Sequence, residues 1–82
     1  MVEVIFDESF KRLFSKLKDN ILKEKIIKQV QKLKNNPEAG KSMRNIRKGT
    51  RELYISPFRL SYKYCIDKNL VEILDLYHKD EQ

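Results

Sequence analysis

Residues Val2-Glu3-Val4-Ile5-Phe6 alternate closely enough to predict a first strand. Asp7 then stands where an N-cap belongs, and Glu8 follows in the first turn, where a carboxylate favours the helix dipole. Phe10, Leu13, Phe14 and Leu17 fall at i, i+3, i+4 and i+7, one apolar face of an amphipathic helix. Asp19-Asn20 ends that helix and caps the next, which runs from about Ile21 to Asn35. There Leu22, Ile26, Val30 and Leu33 share a face widened by Ile27, while Lys23, Lys25, Lys28, Lys32 and Lys34 surround it as solvated surface. Asn35-Asn36-Pro37 stops the helix, because proline disfavours helical geometry in the residue before it. Two helices joined by so short a connection form an antiparallel hairpin.

From Met43 the period changes to two. Met43 and Ile46 mark a weak strand, and Gly49-Thr50 a turn. Leu53 and Ile55 alternate with Glu52 and Tyr54, and Ser56-Pro57-Phe58 reads as the next turn. Leu60, Tyr62, Tyr64 and Ile66 form the cleanest alternation in the chain, with Arg59, Ser61, Lys63 and Cys65 between them. Asp67-Lys68-Asn69 is a compact hairpin loop, and Leu70 to Leu76 is the last strand. The predicted order is β-α-α-β-β-β-β, one α+β domain over residues 1–82 without a linker or repeat. The helical hairpin must cover one face of a mostly antiparallel sheet, because both layers need somewhere to bury their apolar side. Tyr62 and Tyr64 then belong to the core, whereas Tyr54 and Tyr77 remain free to stack on bases or to pack. Arg59, Ser61 and Lys63 are left on the opposite face, which becomes the candidate working surface.

Composition changes the picture in one respect. Within residues 41–63, Lys41, Arg44, Arg47, Lys48, Arg51, Arg59 and Lys63 stand against Glu52 alone, so this segment carries the whole formal charge of +6. Four of the five arginines lie there, and the guanidinium makes planar two-pronged contacts with phosphate that lysine cannot make. Such a segment is an electrostatic footprint for a polyanion. No apolar run approaches the roughly 18–20 residues of a membrane span, and no basic segment followed by an apolar one opens the chain. No membrane partner and no secretory signal are therefore expected, and a cytoplasmic location is the default. Cys65, the single cysteine, excludes an internal disulfide framework and reads as strand packing.

Little remains for chemistry. The one histidine, His78, and the one cysteine, Cys65, lie 13 positions apart and give no ligand-like pair, so neither a metal nor another cofactor is expected. With Gly40 and Gly49 as the only glycines, there is no phosphate-cradling loop. Cations and one histidine are left. Gly49-Thr50-Arg51-Glu52-Leu53, followed by Phe58-Arg59-Leu60-Ser61-Tyr62, resembles the core pattern of the RelE/ParE superfamily. There a strand carrying Arg-Glu-Leu turns back into one carrying aromatic-Arg-Leu/Val-x-Tyr. Leu70-Val71-Glu72-Ile73-Leu74 and the ending Tyr77-His78-Lys79-Asp80-Glu81-Gln82 resemble its last strand and short tail, and the order of elements matches along the chain.

The resemblance implies the toxin of a type II toxin–antitoxin pair. It implies a cognate acidic, RelB-like antitoxin and a complex that is a higher hetero-oligomer. The best-known branch cleaves messenger RNA on the ribosome as a metal-independent endoribonuclease. The ParE branch inhibits DNA gyrase without nuclease activity. RNA cleavage needs a base for the 2′-hydroxyl, an acid for the 5′-oxygen and cations at the phosphate. By resemblance Arg59 takes the place beside the scissile phosphate, and His78, in a Tyr-His setting like that of YoeB-like toxins, takes proton transfer. Arg51 either contacts phosphate or makes a structural pair. Lys79 either joins the site or is surface. Lys41, Arg44, Arg47 and Lys48 read as a docking surface for ribosomal RNA. Two departures stand out. The catalytic tail tyrosine of many RNA-cleaving members has no counterpart after His78, and the paired strand lysines of the type member are replaced by Thr50 and Glu52. Glu52 is either a base or half of a cross-strand salt bridge.

Overall fold

The computed structural model describes residues 1–43 and 49–81. Its elements run β1 (Glu3–Phe6), α1 (Glu8–Lys16), α2 (Asn20–Asn35), β2 (Lys41–Ser42), β3 (Arg51–Ile55), β4 (Phe58–Cys65) and β5 (Leu70–His78), followed by a 3-10 turn at Lys79–Glu81. The expected order and class are observed: two helices lie on one face of a five-stranded sheet. The strand order is β1-β5-β4-β3-β2, with β1 parallel to β5 and every other pair antiparallel.

Both predicted caps form. The Asp7 carboxylate accepts from the Ser9 hydroxyl at 2.6 Å and from the Ser9 N–H at 3.2 Å, contacts that hold its pKa below the ordinary value. Asp19 accepts from the N–H groups of Ile21 and Leu22. Phe10 from α1 and Leu22, Ile26, Val30 and Leu33 from α2 meet Ile55, Leu60, Tyr62, Val71, Ile73 and Leu76 from the sheet. Each fully buried aliphatic side chain contributes about 1.5–3 kcal/mol. The apolar stripe of α1 is narrower than its spacing suggests, because nine residues bury Phe10 alone and leave Leu13 exposed.

Three expectations are corrected. The weak strand marked by Met43 and Ile46 is instead Lys41–Ser42, paired with Arg51 and Glu52; Met43 lies just past it, and Ile46 lies outside the described residues. Ile66 is not core: β4 ends at Cys65, itself half-buried, and Ile66 is 70% exposed in the turn beyond. Ser61 is on the face away from the helices, as expected, but is buried rather than exposed. The last strand also runs two residues further than predicted, to His78.

Tyr62 joins the layers. Its hydroxyl accepts from the Gly40 N–H at 2.8 Å and donates to the Pro37 carbonyl at 2.8 Å, pinning the connection from α2 to β2 onto the sheet. Burial raises its pKa, outweighing the lowering effects of the Gly40 N–H and of Arg51. A Tyr62→Phe variant leaves the buried Gly40 N–H without its partner, which should cost about 1–3 kcal/mol in urea unfolding at neutral pH. Because the folded pKa is raised above the ordinary value of 10.0, this group's stabilisation is complete below pH 10 and lost as pH climbs toward the folded value. The wild type should therefore lose stability above pH 10 more steeply than Tyr62→Phe. Parallel curves would mean that the phenol does not titrate with unfolding.

Candidate functional site

Two lateral rows on the face of the sheet away from the helices surround Arg59. Register places Lys41, Glu52, Ser61 and Asp75 side by side across β2, β3, β4 and β5, and Tyr54, Arg59 and Tyr77 beside them. Arg59 therefore lies between two tyrosines and one step from a carboxylate. Its Nη1 is 3.6 Å from Glu52 Oε1, so the cross-strand ion pair expected of Glu52 is present. The Glu52 side chain is only 2% exposed and that of Arg59 36%. The Tyr77 hydroxyl donates to Glu52 Oε2, and the Arg59 guanidinium carbon stands 5.9 Å from the centre of the Tyr54 ring. Between this cluster and β2 opens a groove of about 520 Å³, lined by Lys41, Met43, Glu52, Leu53, Tyr54, Arg59 and Ala39. Such a groove offers cations to an anion and a phenol face to a base.

The family described as "ParE toxin of type II toxin-antitoxin system, parDE" matches residues 4–82. The chain belongs to it, and so to the RelE/ParE superfamily. No curated protein matches by sequence. Among solved structures, the intact RelBE toxin–antitoxin complex of Escherichia coli superposes with a TM-score of 0.80 at 18% identity, covering 95% of this chain and 96% of that one. The RelBE2 complex of Mycobacterium tuberculosis gives 0.81 at 26% identity, covering 95% and 98%. A YoeB/ParE toxin from Agrobacterium tumefaciens gives 0.82 at 15%, covering 94% and 98%. This protein is thus the toxin of a type II toxin–antitoxin system.

The toxin does not gather all the residues its sequence singled out. Arg59 and Lys41 share the groove. Arg44, Arg47 and Lys48 lie outside the described residues. Arg51 projects on the helix side, level with Tyr62, and its guanidinium donates to the carbonyls of Gly40 at 2.9 Å and Glu38 at 3.3 Å and pairs with the Glu38 carboxylate at 3.4 Å. Of its two readings the structural one describes these contacts. Lys79 is exposed in the C-terminal turn, with its backbone N–H on the Pro57 carbonyl. His78 stands opposite Phe58, ring to ring at 5.7 Å, and its Nδ1 faces the Asp80 carboxylate at 3.6 Å. Phe58 packs toward the core, so His78 lies on the helix side of β5 and Arg59 on the other.

A bulge causes this separation. Register between β4 and β5 shifts between Ser61 and Tyr62, which adds one residue to β5 around Leu74. Without it, alternation along β5 would bring His78 to the face of Arg59; with it, Tyr77 takes that face. The signal was in the sequence: strict alternation from Val71 and Ile73 would put Asp75 in the core, and the bulge puts Leu76 there instead. A His78→Gln variant is accordingly expected to lower activity by less than about tenfold, well short of the roughly 10²–10⁴ of a proton-transfer group. A loss in that larger range would return His78 to the site.

Charge on this face also differs from the sequence picture. Lys41, Arg59 and Lys63 are matched there by Glu52, Glu72 and Asp75. The surplus of the 41–63 segment thus rests on Arg51, which is occupied, and on residues 44–48. Among the described residues no group of three or more His, Cys, Asp or Glu side chains comes together as metal ligands, and no helix is long and apolar enough to cross a membrane.

Proposed function

We propose that the toxin cleaves messenger RNA on the translating ribosome, and so works in the cytoplasm, with Arg59 at the scissile phosphate and Lys41 beside it. The observation that carries this reading is the place of Arg59. It is a partly exposed guanidinium at the edge of a groove, braced from beneath by a buried carboxylate and flanked by the exposed Tyr54 ring. A phosphate accumulating charge during in-line attack is stabilised by a fixed cation, and a splayed base by an aromatic face. Lys48, Arg44 and Arg47 would add contacts to ribosomal RNA, and Lys79 stands apart from the groove. The test is a cell-free translation reaction with end-labelled message. Shortening that requires translating ribosomes supports the proposal; an intact message would overturn it.

A ParE-like action on DNA gyrase is the second reading, favoured by one observation. His78 is across the sheet from Arg59, so the proton-transfer group expected beside the arginine is not there. Inhibition of supercoiling by purified gyrase, with message intact, would select this reading.

The RelBE structures that share the fold are toxin–antitoxin complexes, and the partner of this chain is proposed to be an antitoxin, acidic to match the cations of residues 41–63. Between α1, α2 and β1 an apolar groove of about 470 Å³ is lined by Val4, Phe6, Phe10, Phe14, Ile26, Ile27 and Val30. An amphipathic antitoxin helix would bury its apolar face there while an acidic stretch covers the cations of residues 41–63, the pair assembling into a higher hetero-oligomer. Opposite charges steer association over roughly 10 Å at 0.1 M salt. The association rate should therefore fall as salt rises, and a rate that is flat against ionic strength would contradict charge steering.

A further inference from the structure

We propose that Glu52 and Tyr77 are positioning residues for Arg59: a buried carboxylate, fixed by a phenol, aims the guanidinium into the groove. The inference rests on the RNA-cleaving reading and names the residues that set up its phosphate contact.

Burying a carboxylate is costly unless it is paired and hydrogen-bonded. Glu52 is nearly fully buried, yet it lies on the face away from the hydrophobic core, so no packing demand places it there. Its two oxygens have separate partners. Oε2 receives the hydroxyl of Tyr77, itself buried, which fixes the carboxylate from the β5 side. Oε1 faces Arg59 but receives no hydrogen bond, and the buried Nε of Arg59 likewise finds no acceptor.

A fully closed arginine–carboxylate pair is frequently bidentate, with two parallel hydrogen bonds at about 2.7–2.9 Å. This one stands at 3.6 Å, beyond hydrogen-bond reach. Charge and the Tyr54 ring hold the guanidinium in place without using up its outer N–H groups. It is directed and remains available, as a phosphate ligand requires. Glu52 is also poorly placed to act as the base: Oε1 has no accessible surface while Arg59 covers it, so a 2′-hydroxyl cannot reach it. Lys41, its lateral neighbour on β2, supplies the second cation of the groove.

The test is a double-mutant cycle on cleavage of translated message, with Glu52→Gln, Tyr77→Phe and Arg59→Ala. Glutamine keeps the size of the side chain and an acceptor for Tyr77 but removes the charge under Arg59. If Glu52 positions Arg59, Glu52→Gln alone lowers the rate at least tenfold, and adding Arg59→Ala to it costs only a few-fold more, instead of the roughly 10²–10³ it costs in the wild type. Tyr77→Phe should give a smaller loss with the same non-additivity. Independent, multiplying losses would overturn the proposal and leave Glu52 a stability residue. Loss of an acidic limb from the pH–rate profile in Glu52→Gln, with the Arg59→Ala penalty unchanged, would overturn it in favour of a base. A second readout does not depend on RNA. The Arg59 Nε–H resonance of the folded toxin should shift toward that of free arginine in Glu52→Gln. An unmoved resonance overturns the proposal even where the wild type cuts message, and a moved one supports it even where cleavage itself is not found.

Discussion

Arg59→Ala is expected to abolish growth inhibition in a toxin that still folds. The guanidinium is the cation of the open face that combines partial exposure, a groove and a fixed carboxylate behind it. Removing one preorganised donor to a developing charge costs about 10²–10³ in rate, or roughly 2.7–4 kcal/mol in the barrier. Under the proposed reading the toxin must outpace synthesis of new message, and it will not withstand that loss. Truncation also uncovers Glu52. Water then reaches Oε1, and Tyr77 still serves Oε2, so the stability cost should stay near 1–3 kcal/mol. A chain of 82 residues has a total stability of about 4–12 kcal/mol, which absorbs it. Circular dichroism at growth temperature checks the fold. Arg59→Lys offers a second check, because it keeps charge over Glu52 and loses the planar fork, and it should be intermediate. Full toxicity in a well-folded Arg59→Ala protein would remove Arg59 from the site.

Gly40→Ala should be the most damaging single-methyl change. A Cβ there would lie 2.7 Å from the Tyr62 ring and hydroxyl and 2.9 Å from the Glu52 carbonyl. Neither neighbour can yield cheaply. Tyr62 is fully buried and bonded at both ends, and the carbonyl belongs to the sheet backbone. Overpacking costs about 1–3 kcal/mol, and a displaced Tyr62 adds the loss of its Gly40 and Pro37 bonds. The entropic gain of glycine to alanine, about 0.4–1 kcal/mol, does not offset this. A net loss near 2 kcal/mol or more should lower the thermal midpoint by about 10 °C or more in a domain this small. The same clash pushes β2 and Lys41 away from the groove, so under the proposed reading RNA affinity should fall as well. A midpoint within 2 °C of wild type, on the roughly 4–8 °C per kcal/mol expected, would show that the loop has room to shift.

The architecture was legible because each layer advertises its period. Phe10 with Leu22, Ile26, Val30 and Leu33 announces the helix faces, Leu60 and Tyr62 the sheet, and Asp7 and Asp19 the helix starts. The parallel pairing of β1 with β5 was not legible, since it joins segments some seventy residues apart and leaves no local mark. β2 was misplaced because two residues carry no periodicity, and its position is set by contacts from Tyr62 and Arg51 to Gly40. The site was half legible. Composition and resemblance led to Arg59, and residue type together with the resemblance of its Tyr-His setting led to His78. Which of Tyr77 and His78 faces Arg59 depends on the single-residue bulge at Leu74, and an even count along the strand gives the wrong answer. Arg51 was left between two readings because its partners are mostly main-chain carbonyls, which a sequence does not display.

Primer extension on message from cells pulsed with the toxin decides whether translated messenger RNA is cut. Discrete new 5′ ends are expected, confined to translated reading frames, absent when translation initiation is blocked and absent with Arg59→Ala. Intact message together with linearised DNA and an induced DNA-damage response would contradict it.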